Sequence, residues 1–124
     1  MGFHHILLVD DDQDDREIFQ SAVDIVGSLK CSQAASAIEA LRMLTSGEVR
    51  PDVIFLDLNM PLMTGHEFLA KIKSIPHLRH LPVIIFSTSG NQQSVQLAKR
   101  LGAYDYITKP YKFEELVTVL KRVL

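Results

Sequence analysis

Three short runs constrain this chain most: Ile6 to Val9, Val53 to Leu58 and Val83 to Phe86 are apolar on successive residues, Asp57 alone excepted, and rich in β-branched side chains. A strand with one wet face alternates apolar and polar residues. Runs that do not alternate read as strands covered on both faces, as in a parallel sheet. Weaker runs lie near Cys31 to Ala34 and Tyr104 to Ile107. Between them the apolar residues take a helical period: Ile18, Phe19, Ala22, Val23 and Val26; then Ile38, Leu41 and Leu44; then Phe68, Leu69 and Ile72; and last Phe113, Leu116, Val117, Leu120 and Leu124. The segment from Asn91 to Leu101 offers only Val95, Ala98 and Leu101 among polar neighbours, so its helix is predicted to be the least buried. Gly27, Gly47 and Gly102 stand where helices stop, and Pro51 and Pro82 where strands begin. A strand followed by a helix, five times over, implies a parallel sheet with right-handed crossovers and helices on both faces.

Length and charge narrow the class. With 124 residues the chain is predicted to be a single domain, 1–124, with one real core and no output domain after its last helix. Apolar residues make up 47% of it, which excludes a disordered chain, and a net charge of −2 gives no global pull towards nucleic acid or anionic membrane. Cys31 is the single cysteine, so neither a disulfide framework nor a cysteine zinc site exists, which suits a reducing cytoplasm. A small buried side chain is the favoured reading of Cys31 over a nucleophile. No apolar run is long enough to span a bilayer, and Met-Gly at the start lacks the Ser or Thr at position 6 that myristoylation wants, where Ile6 stands.

In open parallel sheets, sites form beyond the carboxyl ends of the strands. Four of the five runs end in reactive groups: Asp10 and Asp11 after the first, Asp57 after the third, Ser87 and Thr88 after the fourth, and Lys109 after the fifth. Three carboxylates without a cysteine or histidine set favour a hard divalent cation, Mg²⁺ above all. Asp57 would repel Asp10 and Asp11 unless a cation lies among them. A charged carboxylate beside Mg²⁺ and a lysine is what attack on a phosphoryl group requires, giving an aspartyl phosphate.

The segments 9-VDDD-12, 56-LDLNMPLMTG-65, 82-PVIIFST-88 and 102-GAYDYITKP-110 together resemble the receiver domain of two-component response regulators, of the small stand-alone kind, over essentially the whole chain. The resemblance implies a flavodoxin-like doubly wound α/β fold, (βα)5, with a five-stranded parallel sheet of order 2-1-3-4-5. It implies Asp57 as phosphoacceptor, with Mg²⁺ held by Asp11 directly, by Asp10 largely through water, by Asp57 and by the backbone carbonyl of Asn59. Ser87 takes the switch hydroxyl position, Tyr106 the aromatic switch and Lys109 the phosphate-contacting lysine, with a cis bond between Lys109 and Pro110. A histidine kinase or phosphotransfer protein is the implied donor. The face of the fourth helix, fifth strand and fifth helix is the implied downstream contact, and the protein is expected to be a cytoplasmic monomer or a phosphorylation-promoted dimer. Two details depart: Thr88 stands where many members carry Ala or Gly, leaving open which hydroxyl is nearer, and Thr64 stands where Asp is common, which bears on the turn more than on the chemistry.

Rival readings differ in class. A phosphohydrolase with an aspartyl nucleophile wants a second Asp where Asn59 stands. Flavin binding wants a Ser/Thr/Gly-rich phosphate loop after the first strand, where five carboxylates lie in 10–15. A receiver-shaped interaction module that is never phosphorylated is the third. Asp12, Asp14 and Asp15 read as a helix start complementing the dipole, with Asp12 as N-cap, and a calcium loop fails because Asp15 stands where Gly is needed and Ser21 where Glu is. His4 and His5 read as a polar strand start, and His66, His77 and His80 as exposed solvated histidines. The sparse fourth helix is either a poor helix or a surface kept free for partners.

Overall fold

The computed structural model describes residues 2–124. Five strands and five helices alternate: β1 (His5–Val9), α1 (Gln13–Val26), β2 (Lys30–Ala34), α2 (Ala37–Thr45), β3 (Val53–Leu56), α3 (Gly65–Ser74), β4 (Val83–Ser87), α4 (Gln92–Arg100), β5 (Asp105–Thr108) and α5 (Phe113–Val123). The strands form one parallel sheet of order β2-β1-β3-β4-β5, the flavodoxin-like arrangement.

The period of two in a strand explains the unbroken apolar runs. Leu7, Val9, Ile54, Leu56, Val83 and Ile85 point to one face, where Phe68, Leu69 and Ile72 of α3 and Ala37, Ala40 and Leu44 of α2 cover them. Ile6, Leu8, Val53, Phe55, Ile84 and Phe86 point to the other, under α1 and α5. There Phe19 meets Phe55 and Phe86 edge to face, with centroids 5.2 and 5.5 Å apart. Edge strands β2 and β5 carry polar residues, which is why their runs are weak.

Not every stripe residue joins this core: Ile18 and Ile38 are about half exposed, and Phe113 is 38% exposed. In α2 the buried line is Ala37, Ala40, Met43 and Leu44, whose small alanines let the helix lie close to the sheet. The sparse helix, α4, buries only Ala98 fully. Among the described residues no helix is long and apolar enough to cross a membrane.

The loop after β3 is set by a close approach. A Cβ at Gly65 would stand 2.5 Å from the Asp57 carbonyl oxygen and 2.7 Å from Leu58 Cα, so only glycine lets α3 start against the end of β3. Thr64, just before it, closes a capping box with Glu67, which is the turn role the sequence suggested.

Candidate phosphoacceptor and cation site

Among the described residues, the buried polar or charged side chains are Asp10, Asp57 and Ser87, at 1%, 7% and 0% exposure. All three leave the carboxyl edge of adjacent strands β1, β3 and β4. Backbone bonds continue the sheet into the site and fix the first two: Asp10 N–H donates to Ala34 O and Asp57 N–H to Val9 O. Arg16, one turn into α1, donates to the Asp10 carbonyl at 2.8 Å and pins the loop between strand and helix.

Asp10, Asp11 and Asp57 each offer a carboxylate oxygen within 4.8 Å of the others, with Asp11 exposed and the other two buried. This all-oxygen donor set, open to solvent through Asp11, fits a hard divalent cation that keeps waters of its own. Burial raises the Asp57 pKa above the ordinary carboxylate value and the Asp10 charge adds to this. Lys109 and hydrogen bonding from the Asn59 amide and the Ser87 hydroxyl pull it back only in part. The Asn59 amide donates to Asp57 Oδ1 at 3.4 Å, and Asn59 itself is exposed beside the cluster.

Lys109 arrives from β5 with its amide bonded to Ser87 O. Its Nζ donates to Asp10 Oδ2 at 2.8 Å and to Asp15 Oδ2 at 2.8 Å, and lies 3.8 Å from Asp57 Oδ2. Burial alone would lower the lysine pKa, but the bonds to Asp10 and Asp15 outweigh it and hold the ammonium charged. Ser87 is the hydroxyl beside Asp57, while Thr88 is exposed and lines an adjoining groove with Asp15, Phe86, Lys109 and Pro110. Tyr106, half-buried, donates from its hydroxyl to Ser89 O in the loop before α4. Burial, and the Asp57 charge behind it, raise the phenol pKa.

Three expectations are corrected. The Lys109–Pro110 bond is trans, since no described peptide bond is cis. The tertiary amide of an X-Pro bond still favours trans, and Lys109 reaches its carboxylates in that form. Asp15 is no mere dipole complement, because it pairs with Lys109, although Asp12 does cap α1 through the Asp15 amide. His66 is half-buried, with Nε2 3.3 Å from Ser94 O on α4. The other histidines follow the sequence reading: the amides of His4 and His5 donate to the Asp52 carboxylate, and the His5 ring meets Ser32 Oγ. Burial pushes the Cys31 thiol up to about 12, so it is not a nucleophile at neutral pH.

Residues 6–121 match the family described as the response regulator receiver domain. The chain belongs to this family. It is 34% identical over 123 residues to the two-component response regulator ORR8 of Oryza sativa subsp. indica, covering 99% of this chain and all of that one. It is 32% identical to the sensor histidine kinase CheAY of Helicobacter pylori, covering 94% of this chain but spanning only 14% of that much longer protein. Among solved structures, the phosphorylated cyanobacterial phytochrome response regulator RcpA superposes with a TM-score of 0.88 at 32% identity, over 97% of this chain and 90% of that one. The Mn²⁺-bound response regulator Rcp1 gives 0.83 at 28%, over 97% and 91%. This receiver is thus a phosphoryl-accepting signalling domain. Receivers bind a divalent cation in an acidic pocket and interact with histidine kinases and downstream partners.

Proposed function

We propose that Asp57 is the phosphoacceptor and that the cation bound by Asp10, Asp11, Asp57 and the Asn59 carbonyl is Mg²⁺. The observation that carries this is the convergence of the buried polar side chains, Asp10, Asp57 and Ser87, on one sheet edge with Lys109. An ionised carboxylate is buried there at a cost that packing does not explain.

In this reading an Asp57 carboxylate oxygen attacks the phosphorus of a phosphohistidine on a histidine kinase or phosphotransfer protein. The O–P bond forms, the P–N bond breaks and its electron pair returns to the imidazole. Mg²⁺, when bound, neutralises charge on the transferring oxygens. Lys109 contributes a second positive charge and Ser87 a hydroxyl donor to the phosphoryl group. Later attack by water releases inorganic phosphate and restores the carboxylate, so the chain acts as a signalling protein in the cytoplasm and turns over only its own phosphoryl group.

Signal output follows from the same contacts. Ser87 and Lys109 drawn to the phosphoryl group would shift the β4–α4 loop, to which Tyr106 is bonded through Ser89. A cleft of about 310 Å³ between α4 and β5, lined by Val95, Ala98, Ala103 and Tyr106, gives the ring room to reorient and alter the α4–β5–α5 face offered to a partner or a second copy.

The test is incubation with acetyl phosphate and Mg²⁺ followed by intact mass. Wild type should gain one phosphoryl group, and Asp57→Asn or added EDTA should abolish the gain. Multiple turnover of assorted phosphate esters would favour a hydrolase instead. No gain from acetyl phosphate or from any histidine kinase would contradict the proposal.

A further inference from the structure

Resting on the reading of Lys109 as the phosphate-contacting lysine, we propose that Asp15 is a positioning residue for phosphotransfer: it tethers the Lys109 ammonium at the edge of the Asp57 pocket. The two residues lie 94 positions apart, and the bond between them spans from the first turn of α1 to the end of β5. Asp15 is itself fixed, because its amide donates to the N-cap carboxylate of Asp12 at 3.0 Å.

The ammonium has three N–H groups. Two are engaged, by Asp10 and Asp15 at 2.8 Å each, while Asp57 at 3.8 Å is beyond hydrogen-bonding reach. The gap towards Asp57 is where an oxygen of a phosphoryl group on that carboxylate can meet the third N–H without Lys109 leaving Asp15. Asp10 belongs to the cation cluster, whereas Asp15 lies outside it. With a cation on Asp10, the anchor that remains undivided for Lys109 is Asp15. The sequence offered no hint of this, since Asp15 sits in a run of helix-start carboxylates and its partner is close only in the fold.

The sign of the effect separates positioning from simple charge. Removing one negative charge beside the pocket should ease approach of an anionic phosphodonor and speed the reaction, whereas losing the tether should slow it. With acetyl phosphate and Mg²⁺, Asp15→Asn is expected to be phosphorylated on the order of tenfold more slowly than wild type. Asp15→Glu should recover most of the rate, with folding of both variants verified by circular dichroism.

A second readout needs no activity: the ¹H–¹⁵N correlation of the Lys109 ammonium by NMR, assigned by its loss in Lys109→Arg. It should be protected in wild type with and without Mg²⁺. In Asp15→Asn it should persist without Mg²⁺, where Asp10 still holds the amine, and broaden away when Mg²⁺ is added. A rate equal to or above wild type in Asp15→Asn, or a Lys109 signal indifferent to Asp15, would overturn the inference. If wild type gains no phosphoryl group at all, the reading of Asp57 fails, and the ammonium comparison still decides whether Asp15 tethers Lys109.

Discussion

At the scale of single residues, the site stores an electrostatic conflict. Asp57 is buried among carboxylates, and Lys109, bonded to Asp10 and Asp15, answers it only from 3.8 Å. Without a cation, ionised Asp57 should therefore destabilise the fold. Its pKa is raised in the folded state, first by burial, so the penalty applies in full above that raised value and fades as pH falls through it towards the unfolded value. Asp57→Asn is expected to stabilise the metal-free protein at pH 7 by about 1 kcal/mol, and the advantage over wild type should shrink as pH falls towards about 4. Thermal melts of both proteins in EDTA across that range would show it, and an unchanged or lower melting temperature for the variant at pH 7 would refute it. Asp10, Asp11, Asp57, Ser87 and Lys109 were legible in the sequence as neighbours because each closes a strand or follows one within two residues, and parallel strands bring such ends together. Asp15 and His66 were not legible: each owes its role to a partner on another element, Lys109 and Ser94, and no periodicity encodes a tertiary neighbour.

At the scale of elements, the sheet and α4 differ in how firmly they are held. β1, β3 and β4 are buried along nearly their whole length, whereas α4 buries only Ala98 and is tied to its surroundings by few bonds, among them His66 to Ser94. Helix α4 should open locally at a free energy about 2 kcal/mol below that of β1 and β3. Native-state hydrogen exchange measures this directly, and α4 amides as protected as those of β3 would contradict it. The period of the apolar residues located each helix, but its phase was less exact. Periodicity assigns Ile18 and Ile38 to the buried stripes, yet Phe19, Ala22 and Val23 take the sheet-facing line of α1, and Ala37, Ala40, Met43 and Leu44 that of α2, leaving both isoleucines half exposed. The capping box at Thr64 and the close approach at Gly65 show how a local sequence, TG before an apolar stripe, aims the loop that carries Asp57 and Asn59.

At the scale of the whole molecule, the fold explains why a chain with almost no net charge concentrates acidity at one place. A parallel sheet directs all five strand ends the same way. The central strands β1, β3 and β4 can then deliver Asp10, Asp57 and Ser87 to one point while edge strand β5 brings Lys109. The same ends are joined to α4 and β5 through Ser89 and Tyr106, so in the proposed reading a phosphoryl group on Asp57 would alter a surface that Asp57 itself does not reach. In the proposed reading Asp57, among the clustered carboxylates, forms the phosphoryl bond, and reductive trapping tests this at the residue itself. Borohydride converts an aspartyl phosphate to homoserine, which peptide mass mapping locates in protein treated with acetyl phosphate and Mg²⁺. Homoserine at position 57 alone, absent when Mg²⁺ is omitted, is the expected result; homoserine at 10 or 11, or at no position in phosphorylated protein, would contradict the assignment.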